Sequence, residues 1–178
     1  MKIRPEILLS SKNEINYNKI LVTGSDESFM LYVKDFIVSD FKKRNFFVDV
    51  SGSYDVGVIG GLFSDKRTLF VLADYPHNSS GIDDDKSDRN CVVVVSANSK
   101  KTNNIKTILT KRKDALVVEC YTLNKSAKEI ALKNFVMENN LVLSKDVFWY
   151  VVHAFDNNYV LFERQLQMLA LFNKRIDL

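Results

Sequence analysis

Short apolar runs recur along the first two-thirds of this chain, each set off from the next by turn residues or a helix-length segment. They are Ile20-Leu21-Val22, Phe46 to Val50, Leu69 to Leu72, Cys91 to Val95 and Leu116 to Cys120. Runs this short, rich in β-branched residues and bounded by turn residues, fit buried strands. Between the first two lies a helical pattern from Glu27 to Lys43, with Phe29, Val33, Phe36, Ile37 and Phe41 on one stripe and Ser25 or Asp26 able to cap it. Tyr54 to Phe63 reads as a short helix weakened by glycine. Thr102 to Lys111 reads as a helix with Ile105, Ile108 and Leu109 inward. Strands alternating with helices in this way predict a parallel sheet with helices on its faces, an α/β fold.

The pattern changes after Tyr121. Three helical periodicities follow, at 125–139, 144–155 and 158–172. Ile130, Phe135 and Val136 mark the first. Val147, Phe148, Val151 and Val152 mark the second, and Leu161, Leu166, Leu169 and Phe172 the third. Ser144 can cap the second helix, and Asn140 ends the first. Consecutive helices on short links predict a small bundle. The expected organisation is an α/β domain over 1–123 and a three-helix domain over 124–178.

Composition narrows the class of protein. With 25 basic and 22 acidic residues the net charge is +3, which does not demand a nucleic-acid partner. No apolar run approaches the roughly 20 residues of a membrane helix. The N-terminus, Met1 to Glu6, lacks the long apolar region of a signal peptide. Cys91 and Cys120 lie in strand-like runs and read as buried free thiols, which suit a reducing compartment. The expectation is a cytoplasmic protein with no membrane partner.

The first strand, its Gly24 turn and the following helix invite comparison with a phosphate-binding loop. That loop needs a second Gly, a Lys and a Ser or Thr at fixed spacing from the first Gly. Counted from Gly24, those positions hold Phe29, Met30 and Leu31. Apolar groups stand where backbone access, positive charge and a magnesium ligand are required, so no ATP hydrolysis is expected here. Gly24 reads as a turn residue. Asp74 ends a strand-like run in the manner of a magnesium-binding acid, but Tyr75 follows it instead of a water-activating Glu. The dinucleotide fingerprint is absent. His77 lies in an acidic loop, and His153 reads as a packing residue in an apolar run. No Cys/His cluster has metal-ligand spacing. Asp83 to Asp85 could hold a divalent ion, with a solvated loop as the plainer reading. No catalytic residues, metal site or cofactor are therefore expected.

Two segments suggest binding. Leu62-Phe63 follows Gly60-Gly61 and precedes Ser64-Asp65-Lys66-Arg67. The pair is either an apolar knob presented to a partner or part of this chain's own core. A basic helix carries Lys100, Lys101, Lys106 and the run Lys111-Arg112-Lys113. Its polar face is a candidate contact for a DNA backbone, with a solvated helix face as the alternative. No aromatic residue is interleaved with it, so base stacking there is not expected.

The order of these parts resembles the delta subunit of bacterial DNA polymerase III, the clamp-opening member of the clamp loader. The residues that carry the resemblance are Ile20 to Asp26, a strand and Gly-containing turn without a phosphate loop, and Leu62 to Leu72, a Leu-Phe pair, charged spacer and strand. Val92 to Lys101, a strand with a Lys-containing turn, and the leucine-rich Gln165 to Phe172 complete the set. The resemblance implies an AAA+-like α/β domain lacking a phosphate loop, followed by a three-helix lid. It implies that Leu62 and Phe63, with Ile59 beside them, enter an apolar pocket on a ring-shaped sliding clamp and help open one clamp interface. It further implies partnership with other clamp-loader subunits, and any DNA contact would be weak or indirect. Gly60-Gly61 depart from the longer side chains usual before the pair, and each Gly costs a helix about 1 kcal/mol relative to Ala. Gln165 and Met168 stand where Glu and Lys are usual. Delta proteins continue into a third helical domain that joins a pentameric collar, and the resemblance covers the first two domains. Two other readings are a degenerate nucleotide-binding or protein-interaction module without a clamp partner, and an enzyme using the acidic loop with a divalent metal.

Overall fold

A computed structural model describes residues 1–10, 14–50, 67–73, 90–171 and 175–176. Within it six parallel strands form one sheet. They are β1 (Lys2–Ile3), β2 (Lys19–Gly24), β3 (Phe47–Asp49), β4 (Thr68–Leu72), β5 (Asn90–Ala97) and β6 (Ala115–Cys120), in the spatial order β1-β6-β2-β5-β4-β3. The helices are α1 (Pro5–Ser10), α2 (Glu27–Lys43), α3 (Lys100–Thr110), α4 (Lys125–Glu138), α5 (Lys145–Ala154) and α6 (Tyr159–Ala170). A small parallel pair joins β7 (Val142–Leu143) to β8 (Arg175–Ile176).

The five strand-like runs all become strands, and their parallel pairing follows the expected α/β plan. β2 is central, and every one of its residues is buried, as a strand covered on both faces requires. Alternation along each strand divides the core into two layers. Ile20, Val22, Leu69, Cys91, Val93, Leu116 and Val118 face α2 and the C-terminal helices. Leu21, Phe70, Leu72, Val92, Val94 and Val117 form a smaller cluster on the opposite face, closed by Leu109 and Ile105 of α3. The larger cluster continues without a break into Ala127, Leu132, Val147, Val151, Phe162 and Leu166 of α4 to α6.

Burial differs from the sequence expectation at particular positions. Ile108 is 55% exposed, and Thr102 is buried instead, bonded to Ser96, Ser99 and the carbonyl of Ala97. Three hydroxyls satisfy one another there at the start of α3, so a polar residue takes an inward place that apolar periodicity cannot reveal. On α4 the fully buried residues are Ala127, Lys128 and Leu132, while Ile130, Phe135 and Val136 are half-buried. Leu161 on α6 is exposed, and Tyr159 and Phe162 are buried with Leu166. Phe36 is only half-buried, and Met30 takes a buried place on α2. His153 is exposed at the end of α5, not inside the core. Cys91 and Cys120 are buried free thiols as expected. Among the described residues no helix is long and apolar enough to cross a membrane.

β1 and α1 add an edge strand and a short helix ahead of the first expected strand. Met1 helps hold them, its amino group donating to the carbonyls of Ala115 and Arg112. The expected helix at Tyr54 to Phe63, the Asp74 strand end, His77, the Asp83–Asp85 loop and Phe172 lie outside the described residues.

Candidate functional site

The turn after β2 is where this type of sheet could hold a phosphate, because a helix begins there with free N–H groups. In this protein the Phe29 N–H at that helix start is already engaged, and so are two N–H groups just ahead of the helix. Ser25 and Asp26 donate their backbone N–H groups to the carbonyl of Cys120, at 3.1 and 3.3 Å. Asp26 caps α2, its Oδ1 accepting from the Phe29 N–H at 3.1 Å and from the Ser28 hydroxyl at 2.6 Å. Its Oδ2 accepts from the Asn158 side-chain amide at 3.4 Å. A carboxylate of the chain itself thus occupies the positive end of α2. Gly24 makes the close approach possible. Its φ is +153°, and a Cβ there would fall 1.8 Å from the Cys120 carbonyl oxygen.

The residues standing in the phosphate-loop positions have packing roles or face solvent. Phe29 is buried and stacks on Tyr159 of α6, with ring centres 4.5 Å apart and planes 2° from parallel. Met30 is buried in the core, and Leu31 is 51% exposed. Asn158 caps α6 by accepting from the N–H groups of Val160 and Leu161. One residue pair, Asp26 and Asn158, therefore ties the starts of two helices together. An Asn directly before an apolar helical run is the sequence signal that marks such a cap. Nothing in spacing alone shows that it reaches Asp26, 132 residues away.

Beside this junction lies a cleft of ≈160 Å³ between α1, α2, α4 and α6, lined by Phe29, Tyr32, Tyr159, Glu138 and Glu163 among others. Burial pushes the Tyr159 hydroxyl far above the usual tyrosine range, and its hydrogen bond to Tyr32 adds to the shift. Burial likewise raises the Glu163 carboxyl. Among the described residues no Lys or Arg lines this cleft. Aromatic faces beside carboxylates suit a flat neutral or cationic group and oppose a phosphate.

The basic helix is α3, capped by Ser99, whose hydroxyl accepts from the Thr102 N–H at 3.1 Å. Lys100 and Lys101 stand exposed in its first turn. Lys106 turns toward the sheet and donates to Glu119 Oε1 at 2.9 Å, while Lys2 pairs with the other carboxylate oxygen. The hydrogen bond to Glu119 raises the Lys106 ammonium above its usual range. Burial pushes Glu119 up, but hydrogen bonds from Lys2 and Lys106 outweigh it and hold the carboxyl below its ordinary value. So the three candidate lysines are not equivalent: two face outward at the helix start, and the third is committed to a buried carboxylate. Leu62, Phe63 and Ile59 lie outside the described residues, in the connection from β3 to β4. Among the described residues no group of three or more acidic, His or Cys side chains could hold a metal.

No protein-family model matches the chain, and no curated protein matches it. Among solved structures, the Bacillus subtilis DNA clamp loader delta protein (YqeN) is similar, with a TM-score of 0.52 and 13% sequence identity over 88% of this chain. A structure of the replication initiator DnaA bound to AMPPCP and single-stranded DNA aligns at TM-score 0.49 and 17% identity over 94% of this chain. This chain spans 55% of the length of the delta protein and 59% of the DnaA chain. At these identities the likeness is one of fold, and the fold shared with the delta protein is the α/β arrangement with its parallel sheet.

Proposed function

We propose that this chain acts in DNA replication as a clamp-loader subunit of the delta kind, which binds a sliding clamp and helps open it without hydrolysing ATP. The observation that carries the reading is the filled turn after β2. Asp26 on the end of α2 and two backbone N–H groups given to Cys120 support a turn that does not hold a triphosphate. A turn occupied in this way supports a role in binding, and the likeness in fold to a clamp-loader delta protein supports the choice of partner.

In this reading Leu62 and Phe63 grip the clamp, with Ile59 beside them. They belong to the connection between β3 and β4, and β3 is the edge strand of the sheet. Burying a Leu and a Phe contributes roughly 1.5–3 kcal/mol each, enough to make both hot spots. Residues 1–123 form the AAA+-like domain and 124–178, with α4 to α6, the lid. Other clamp-loader subunits are the remaining partners, and the protein works in the cytoplasm. Lys100 and Lys101 provide the DNA-backbone contact, with Lys106 contributing little while it pairs with Glu119. The test is surface plasmon resonance of the protein against the host's sliding clamp. Saturable binding is expected, and absence of binding at micromolar concentrations would reject the partner.

The aromatic cleft favours a second reading, a degenerate nucleotide-binding module. Tyr32 at its wall could face a base, but Phe29 and Tyr159 are buried against each other and Glu138 and Glu163 would repel phosphates. Calorimetric titration separates the readings: a nucleotide module binds adenosine or ATP measurably, and a delta-like subunit binds neither.

A further inference from the structure

The cleft of ≈160 Å³ beside the Asp26–Asn158 junction has a use that the clamp reading leaves open. Tyr32 and Phe36 of α2 line it, as do Asn134 and Glu138 of α4. Each pair is four residues apart, so each lies on one helix face. Glu163 of α6 and Glu6 of α1 add a second and a third carboxylate. The volume is well under the roughly 300–1,000 Å³ of a pocket for a drug-sized ligand, so a group the size of one side chain is what fits.

The charges here are uncompensated. Glu138 and Glu163 make no hydrogen bond or ion pair among the described residues. The negative charge of both reaches the hydroxyls of Tyr32 and Tyr159, so both stand at the same end of the cleft. Glu138 is also the last residue of α4, where the helix dipole is negative and no basic residue shares the final turn. Glu163 is half-buried, and that burial raises its carboxyl. Glu6 is only 5% exposed and meets the exposed Arg4 at 3.5 Å. Among the described residues no Lys or Arg lines the cleft. Lys133 and Arg164, the bases nearest in sequence to Glu138 and Glu163, are exposed outside it.

Solvation accounts for an exposed glutamate at a helix end. It does not account for a half-buried carboxylate beside a second one, which costs the fold desolvation and like-charge repulsion at once. A bound cation removes both costs, and the walls decide which cation. Tyr32, Phe36 and Phe135 are half-buried aromatic residues, and the Tyr32 ring centre lies 4.4 Å from that of Tyr159. A guanidinium is planar and weakly hydrated, and it stacks on aromatic rings while its N–H fork meets carboxylates. An ammonium is a compact, strongly hydrated point charge and loses more on entering such walls. The Asn134 side chain, half-buried and without a hydrogen bond among the described residues, can accept a further N–H.

We propose that this cleft binds a guanidinium group, held between the carboxylates of Glu138 and Glu163 and against the Tyr32 ring. The site does not depend on the clamp reading. A free small cation and an arginine side chain of a partner protein both carry this group, and the test separates them. The experiment is NMR titration of the isotope-labelled full chain with methylguanidinium, following the amides of the cleft and the Tyr32 ring. Methylammonium, adenosine and N-acetyl-arginine methylamide are titrated in parallel.

Methylguanidinium should shift the Tyr32, Phe135 and Glu163 resonances saturably, and methylammonium and adenosine should bind about ten-fold more weakly or not at all. N-acetyl-arginine methylamide binding at least as tightly assigns the group to a protein arginine, and its exclusion assigns it to a free cation. Glu138→Gln with Glu163→Gln should weaken methylguanidinium binding about ten-fold or more, the scale of one charge-assisted hydrogen bond. Neither side chain is fully buried, so the double variant should melt as wild type or higher, and Glu163→Gln alone should show a smaller loss of binding. The proposal is overturned if methylguanidinium gives no saturable shift, or if either variant binds it as well as wild type. It is also overturned if methylammonium or adenosine binds as tightly as methylguanidinium.

Discussion

A Cβ built on Gly24 would stand 1.8 Å from the carbonyl oxygen of Cys120. The missing side chain lets the end of β2 lie close against the end of β6, where Ser25 and Asp26 reach the same oxygen. Gly24→Ala must therefore move backbone, since no flexible side-chain end can yield. It also forces an L residue into a conformation that glycine alone adopts easily. The expected loss is about 3 kcal/mol or more, read by urea unfolding. A variant as stable as wild type would show that this turn is not built as described.

Asp26 and Asn158 join two helix starts, and each caps its own helix. Removing either cap costs about 1 kcal/mol, and each change also breaks the link between them. Asp26→Ala and Asn158→Ala should each destabilise by about 1–2 kcal/mol. The double variant should lose less than the sum of the two, because the shared bond is counted in both single variants. Strict additivity in denaturant melts would mean that the link contributes nothing.

Thr23 is buried at the end of β2, and its hydroxyl has no hydrogen-bond partner among the described residues. A buried hydroxyl without a partner carries a desolvation cost of about 1–3 kcal/mol. Thr23→Val keeps the branched shape and removes that oxygen. It should leave stability unchanged or raise it by about 1 kcal/mol, measured by thermal unfolding. A clear loss would reveal a partner for this hydroxyl.

Acid should weaken the fold through two carboxylates. Hydrogen bonds from Arg112 hold Asp114 at a pKa of about 2, against the cost of its partial burial. Glu119 is held low by Lys2 and Lys106 despite its burial. Both groups are more acidic folded than unfolded, so their contribution is complete above about pH 5. It is lost as pH falls toward 2, where the unfolded chain binds protons first. Asp114 is partly exposed, so solvent screening keeps its share small, under about 1 kcal/mol. Asp114→Asn should flatten part of the decline in urea midpoint between pH 5 and pH 2.5, and an unchanged decline would contradict the pairing.

Much of the sheet was legible because its strands are buried on both faces and read as continuous apolar runs. Cys91 to Val95 and Leu116 to Cys120 are the clearest, and both became strands. The long helix over Glu27 to Lys43 was legible because its stripe is regular; of the two candidate caps, Ser25 and Asp26, the fold uses Asp26. The C-terminal helices were legible as helices, but their inward faces were not. Lys128 is buried because its ammonium reaches the carbonyl of Phe155 and sits near the Phe162 ring, a tertiary solution invisible to hydrophobic periodicity. β1 is only two residues long and pairs with β6, so no local pattern announces it. Lys106 looked like its neighbours on a basic helix, and its distinction came only from Glu119 on a later strand.

The central claim concerns Leu62 and Phe63. Its most direct test is affinity for the host's sliding clamp, measured by surface plasmon resonance for wild type and for Leu62→Ala with Phe63→Ala, with thermal melts of both. The account predicts saturable binding by wild type, loss of binding in the double variant, and unchanged melting. A double variant that binds the clamp as well as wild type would contradict the assignment of the pair, and one that unfolds would place the two side chains in the core instead.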